Sequence, residues 1–289
     1  MAGKQWQSLK REPIGVFDSG LGGLSVVANL MRVLPDEEVL FFGDTAHVPY
    51  GERPLCEIRE FALDITRYLV GHGAKMIVMA CNMSSATALD NARREFPDLP
   101  VLGVIAPGAR AVMEAIRSGM PPRIGVLATT GTVRSGAYSR IIRELAPDAT
   151  VFEQACPRFV PLIEAGEADS AEARCAAEQY AARLVEQDVS AVILGCTHYP
   201  YVKRAIAAAM GRSVTIVDPA EETALEAARM LRERGLLGQT GSPPMHSFIV
   251  SGPSRGDARF VEIGSRFLGR RIETLQHAAW GVDVGKVFV

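Results

Sequence analysis

No block of like charge interrupts this sequence: 31 basic against 33 acidic residues leave a formal charge of −2. The electrostatic footprint that nucleic acid or an anionic membrane surface would need is therefore missing. No window of about 18 residues is free of charged and polar interruption, which argues against a membrane-spanning helix. Lys4, Lys10 and Arg11 near the start are followed by no apolar run, so this segment does not read as a secretory signal and is expected to be a loose tail. These absences lead to the expectation of a soluble, cytoplasmic protein whose partner is a small molecule.

Cysteine is scarce and odd in number. Cys56, Cys81, Cys156, Cys175 and Cys196 are irregularly spaced, so a disulfide framework is not expected and most of them read as buried small hydrophobes. No Gly-Lys-Ser/Thr follows a glycine-rich turn, which excludes a nucleotide-triphosphate loop. Neither a Cys-x-x-Cys pair nor a helical histidine pair is present, although Cys81 with Cys196 and His198 leaves a metal site as the sharpest competing reading. The only lysines are Lys4, Lys10, Lys75, Lys203 and Lys286, none placed convincingly for a Schiff base. No cofactor is expected.

What is present is a 289-residue chain, 48% hydrophobic, long enough for two domains. Two stretches look like copies of one another: Met76-Ile-Val-Met-Ala-Cys-Asn82 and Ala191-Val-Ile-Leu-Gly-Cys-Thr-His198. Each is an apolar run breaking into a small residue, then cysteine, then a polar residue. In a parallel sheet covered on both faces such a run is a buried strand, and ligands bind beyond its carboxyl end.

The rest of the chain supports a duplication. Ile14 to Asp18 reads as a strand, Ser19 to Gly23 as a glycine-rich turn and Leu24 to Met31 as a helix. A strand from Glu38 to Phe42 leads into the polar loop Gly43 to Gly51. A helix from Glu57 to Gly71, the first cysteine strand, a helix to about Phe96 and a strand from Pro100 to Ile105 complete one unit. Pro122-Arg-Ile-Gly-Val-Leu127 and the turn to Thr132 echo its beginning. Gly15 to Cys81 spans 66 positions, and Gly125 to Cys196 spans 71. Further helices are expected over Ala171 to Gln187, Val202 to Met210 and Pro219 to Arg234, with a strand at Val214 to Val217. Beyond a loop from Gly238 to Pro244, a strand at His246 to Ser251, a helix to about Phe267 and a tail exceed what the second unit needs. The expected fold is two pseudo-symmetric α/β lobes, each a mainly parallel sheet flanked by helices, with the active site in the cleft between them. Residues 1–104 with 217–289 would form the first lobe, and 105–216 the second.

Two thiols facing one carbon from opposite sides is what a cofactor-independent racemase needs, one removing a proton and the other returning one. A thiol with an ordinary pKa of about 8.5 is mostly protonated at neutral pH, so Asp18 and His198 are candidates to assist. Asp18 and Ser19 could equally cap a helix or hold an amine and a carboxylate. Gly20-x-Gly22-x-x-Ser25 lacks the third glycine of a dinucleotide fingerprint, but Asp44 lies where a ribose-binding acid would be, which keeps a nicotinamide reading open. His47 reads as a partly buried hydrogen-bonding side chain.

Gly15-Val-Phe-Asp-Ser-Gly-Leu-Gly-Gly23, Gly43-Asp-Thr-Ala-His-Val-Pro-Tyr-Gly51, Ala80-Cys-Asn82, Phe159-Val-Pro-Leu-Ile-Glu164 and Gly195-Cys-Thr-His-Tyr-Pro200 together resemble the glutamate racemases of the aspartate/glutamate racemase superfamily. The resemblance runs from about Pro13 to Phe267. It implies interconversion of L- and D-glutamate without cofactor or metal, supplying D-glutamate for peptidoglycan. It further implies that Cys196 abstracts the α-proton of L-glutamate and Cys81 that of D-glutamate, with Asp18 assisting Cys81, and Glu164 and His198 assisting Cys196. Substrate contacts would come from Asp18, Ser19, Pro49, Tyr50, Gly51, Asn82, Met83, Ser84, Thr197 and His198. One departure stands out: Met83-Ser84-Ser85 replaces the threonine such proteins usually carry after Cys-Asn, which puts strictness for glutamate over aspartate in question. An aspartate or broad-specificity racemase, a non-catalytic amino-acid binding protein and a homodimer all remain open at this point.

Overall fold

The computed structural model describes residues 12–117, 122–238 and 243–285. The amino-terminal tail up to Arg11, the centre of the Gly238–Pro244 loop and the last four residues lie outside the described residues. The first unit runs β1 (Ile14–Asp18), α1 (Leu24–Val33), β2 (Val39–Gly43), α2 (Leu55–Gly71), β3 (Met76–Met79), α3 (Asn82–Glu95) and β4 (Val101–Gly103). After α4 (Ile105–Arg117) the second unit runs β5 (Arg123–Ala128), α5 (Thr130–Ser135), α6 (Ala137–Leu145), β6 (Thr150–Ala155), α7 (Phe159–Glu164) and α8 (Ala171–Val185). It continues through β7 (Ala191–Gly195), α9 (Lys203–Met210), β8 (Thr215–Val217) and α10 (Pro219–Glu233). β9 (Ser247–Val250), α11 (Asp257–Leu268) and β10 (Gln276–His277) close the chain.

Two sheets result, one ordered β10-β9-β2-β1-β3-β4 and the other β6-β5-β7-β8, and every pairing in both is parallel. The order β2-β1-β3-β4 is repeated by β6-β5-β7-β8, so the duplication seen in the sequence is a duplication of topology. Register makes it residue-specific. Ile14 lies opposite Val39 and Met76, and Ile124 lies opposite Val151 and Ala191. Counting five positions on from Met76 and Ala191 reaches Cys81 and Cys196, and five on from Val39 and Val151 reaches Asp44 and Cys156.

The central strands β1, β2, β3 and β7 are buried throughout because both faces of each sheet are covered. Alternate residues serve different cores, as the two-residue strand period requires. Val16 with Val192 and Leu194 joins a core shared by the two sheets through α1, α8 and α10. Phe17 and Ile77 face α2 and α3, while Ile193 and Val126 face α4 and α6. β9 pairs with β2, which returns the chain to the first sheet. Among the described residues no helix is long and apolar enough to cross a membrane.

Some elements differ from the sequence expectation. The strand read over Pro100 to Ile105 ends at Gly103, and Ile105 opens α4, a helix that Pro107-Gly108 concealed. Pro107 falls in the first turn, where a missing N–H costs nothing, and Gly108 leaves room for Pro219. Strand β6 carries Glu153 and Gln154 and is only half-buried, because it is the sheet edge, so it lacks an apolar run. Pro161 sits in the first turn of α7, where its missing N–H costs nothing. All five cysteines are free, with Cys81, Cys156 and Cys196 buried and Cys56 and Cys175 exposed.

Candidate active site

The carboxyl ends of β1, β3 and β7 open onto one cavity of about 370 Å³ between the two sheets. From the first unit it receives Asp18 at the end of β1 and Ser19 just beyond it, Pro49, Tyr50 and Gly51 from the loop after β2, and Cys81, Asn82 and Met83 after β3. From the second it receives Glu164 at the end of α7 and Cys196, Thr197 and His198 after β7. Of the proton-transfer and substrate-contact residues expected from the sequence, only Ser84 is not in the lining: it is fully buried next to Cys81. Ser85 is likewise turned away, its hydroxyl donating to the Met79 carbonyl at 2.8 Å. Neither serine therefore brings a hydroxyl to the cavity in place of the threonine that Met83 displaces.

Cys81 occupies the N-cap position of α3 in an extended conformation, φ −67° and ψ 126°, without a side-chain capping hydrogen bond, and its sulfur lies by the Met83 and Ser84 amides. Burial, reinforced by the Asp18 carboxylate, pushes its thiol up to about 12, against the opposing help of the Ser84 and Met83 amides and the Ser84 hydroxyl. Asp18 is itself buried, accepting from the Gly20 amide at 3.2 Å and from the Thr197 hydroxyl at 3.4 Å. Burial raises its carboxyl above the usual range, and His198 and the amides of Gly20 and Gly23 offset only part of this. Cys81 thus lies in a pocket that favours the neutral thiol.

The Cys196 side is built from opposite charges. The Cys196 sulfur lies 3.8 Å from His198 Nδ1, and His198 Nε2 lies 3.1 Å from Glu164 Oε1. Burial opposes charge on the imidazole, but Cys196 and Glu164 outweigh it and raise His198 to about 10. Its two neighbours thus favour the charged form of the ring, which would stabilise negative charge developing on the sulfur beside it. Glu164 is held in turn through its carbonyl, which accepts from Arg259 of α11 at 3.2 Å. The glycine-rich turn serves this arm: a Cβ at Gly22 would overlap the His198 ring and the Thr197 hydroxyl. Gly22 permits the close approach of the turn to Thr197 and His198 rather than an unusual φ.

Several lining groups were not singled out beforehand. Thr129, Thr130 and Thr132 bring hydroxyls from the second unit, and the echo of the Ser19 turn at Thr129 was the signal for them. Tyr138 donates to Asn82 Oδ1 at 2.8 Å across the interface between the units. Met83 spans the same interface, since a Cβ at Gly131 would come within 2.8 Å of its sulfur and terminal methyl. Asp44 is not available to a ribose: its buried carboxylate accepts from Tyr50 Oη at 2.6 Å, Ser251 Oγ at 2.6 Å and Trp280 Nε1 at 3.0 Å, with His47 Nδ1 at 3.0 Å. Lys75 pairs with buried Glu37 at 2.6 Å, and no described lysine reaches the cavity. Among the described residues no three His, Cys, Asp or Glu side chains are grouped to hold a metal.

The profile of the Asp/Glu/hydantoin racemase family matches residues 14–227. The chain belongs to this family. Its relatives within this racemase family include a glutamate racemase of Geobacter metallireducens, 43% identical over 259 residues that cover 90% of this chain and 93% of that protein. A Mycobacterium leprae glutamate racemase is 42% identical, covering 92% and 95%. Among solved structures, glutamate racemase from Francisella tularensis in complex with D-glutamate superimposes with a TM-score of 0.86 at 34% identity, covering 93% of this chain and 98% of that one. The Thermus thermophilus glutamate racemase in complex with β-chloro-D-alanine gives 0.81 at 40% identity, covering 94% and 98%. The two-sheet architecture is that of these racemases.

Proposed function

We propose that this protein is an isomerase that interconverts L- and D-glutamate by a two-thiol proton exchange, with no cofactor, and supplies D-glutamate for peptidoglycan. The observation that carries this reading is the placement of Cys81 and Cys196 at register-equivalent strand ends of two sheets, both lining one cavity. In the L-to-D direction the Cys196 thiolate takes the α-proton, leaving a carbanion whose charge spreads into the carboxylate. The Cys81 thiol then delivers its own proton to the opposite face, so one C–H bond breaks, another forms and the two sulfurs exchange protonation states. The D-to-L direction is the reverse. The resting charges support this assignment, with a cation beside Cys196 and a neutral thiol favoured at Cys81. Burial of both sulfurs keeps water from levelling their basicity.

Glutamate, rather than aspartate, is supported by the relatives at 42–43% identity, and Met83 is the residue that argues for checking aspartate beside it. The test is incubation of each enantiomer in D₂O with the purified protein and no additive. Deuterium should enter the α-position as optical activity is lost, and Cys81→Ser and Cys196→Ser should each abolish racemisation. Binding of glutamate without exchange would point to a non-catalytic binding protein. Full activity in both serine variants would overturn the two-thiol assignment.

A further inference from the structure

Asp44 directly follows β2, so its backbone is fixed by the sheet, and its amide donates to the Asp18 carbonyl at 2.9 Å. Its side chain is completely buried yet fully partnered, gathering donors from three separate parts of the chain. Tyr50 and His47 belong to the loop lining the cavity, Ser251 follows β9, and Trp280 lies in the closing turn of the chain. Hydrogen bonds to an ionised, buried acceptor are about twice as strong as neutral ones. The carboxylate therefore ties the cavity loop to elements that do not themselves touch the cavity.

The closing turn is suited to act as a fixed post. Gly281 donates to the Val284 carbonyl at 2.7 Å and the Ala279 amide to Asp283 Oδ2 at 2.8 Å, while β10 pairs with β9 just before it. The Trp280 ring meets His47 edge-on at 4.6 Å and Phe61 at 5.5 Å, and His47 stacks on Phe61 at 4.0 Å. On the inner side, Tyr50 packs in one small core with Cys81 and Met83. A continuous path thus runs from Trp280 through Asp44 to Tyr50 and the wall beside Cys81. It begins outside residues 14–227, the span matched by the family profile.

We infer that Trp280 is a positioning residue for the substrate, holding the Pro49-Tyr50-Gly51 wall through Asp44. This rests on the reading of the cavity as a glutamate site. A loosened wall weakens the bound substrate and its transition state alike, so the effect falls on binding rather than on the chemical step.

The experiment compares the full-length protein with Trp280→Phe, which keeps a ring against His47 and Phe61 but removes the indole N–H, and with Ser251→Ala, which removes a different donor to the same carboxylate. D-Glutamate binding is measured by calorimetry, and racemisation separately. Trp280→Phe should raise Kd and KM by about three- to tenfold with kcat within about twofold. Ser251→Ala should act in the same direction, and it carries the test if the aromatic variant does not fold. Adding Trp280→Phe to Tyr50→Phe should cost little more than Tyr50→Phe alone, because both cut one path. Unchanged glutamate affinity in both Trp280→Phe and Ser251→Ala, a lower kcat at constant KM, or fully additive effects with Tyr50→Phe would overturn the inference. Glutamate binding without racemisation would instead overturn the proposed activity and leave the affinity comparison intact.

Discussion

Replacing His198 by Asn removes the cation beside Cys196 while keeping a neutral donor near the position of Nδ1. The sulfur and Nδ1 are 3.8 Å apart. Two unit charges about 4 Å apart attract by about 4 kcal/mol at an effective dielectric of about 20. At about 1.4 kcal/mol per decade of rate this is an upper bound of about 10³-fold, and water entering the vacated space reduces it towards about 10². The expectation is a fall in kcat/KM of about 10²- to 10³-fold, within the usual range for a positioned acid–base group.

The equilibrium constant of a racemisation is one, so kcat/KM must fall equally in both directions and cannot by itself show which thiol was impaired. α-Deuterated substrate can. From deuterated L-glutamate the impaired step is the one in which Cys196 removes the label, so a full primary isotope effect should appear. From deuterated D-glutamate Cys81 removes the label before the impaired step, and the effect should shrink towards unity. Asp18→Asn should give the mirror-image pattern. Equal isotope effects from the two enantiomers, or a His198→Asn rate within about threefold of wild type, would refute the assignment of His198 to the Cys196 side.

The raised pKa of His198 also sets a pH dependence of stability. Its folded value of about 10 exceeds the ordinary 6.5, so its contribution is complete below pH 6.5 and is lost as pH rises through about 10. Cys81, raised from 9 to about 12, acts with the same sign at higher pH. Denaturant midpoints should fall between pH 7 and 10 in the wild type and fall less in His198→Asn. Gly131→Ala places a Cβ 2.8 Å from the Met83 thioether and 2.9 Å from the Gly51 carbonyl oxygen, so it should raise KM several-fold, and Met83→Ala in the same chain should recover part of the loss.

What could be read from the residues alone was set by local pattern. β1, β3 and β7 are unbroken apolar runs because both sheet faces are covered, and their ends carry Asp18, Cys81 and Cys196, so the centre of the site was visible. The family resemblance extended this to Glu164, which no spacing argument reached. β6 escaped because an edge strand needs no apolar run, and α4 because Pro107-Gly108 imitates a break. Asp44 illustrates a harder limit. Its position suggested a ribose ligand, and its true partners Ser251 and Trp280 lie 207 and 236 residues away, beyond any local pattern.

The register equivalences expose how a symmetric frame was made to do asymmetric work. Cys81 and Cys196 occupy matching positions, so their backbones offer the substrate two alike faces. The neighbours do not match: the position equivalent to Asp18 is Ala128, and that equivalent to Asp44 is Cys156. The first unit therefore places a carboxylate next to its thiol and anchors its loop with another, while the second leaves those places uncharged and recruits His198 and Glu164 instead. A racemase with two identical arms would repel or attract a proton equally at both sulfurs and would have no preferred resting state. Here burial and the Asp18 carboxylate favour the proton on Cys81, whereas the Cys196 sulfur faces the His198 ring, so the two arms differ electrostatically although their backbones match. Removing the first unit's carboxylate in Asp18→Ala should therefore narrow the difference in pre-steady-state exchange between the two enantiomers.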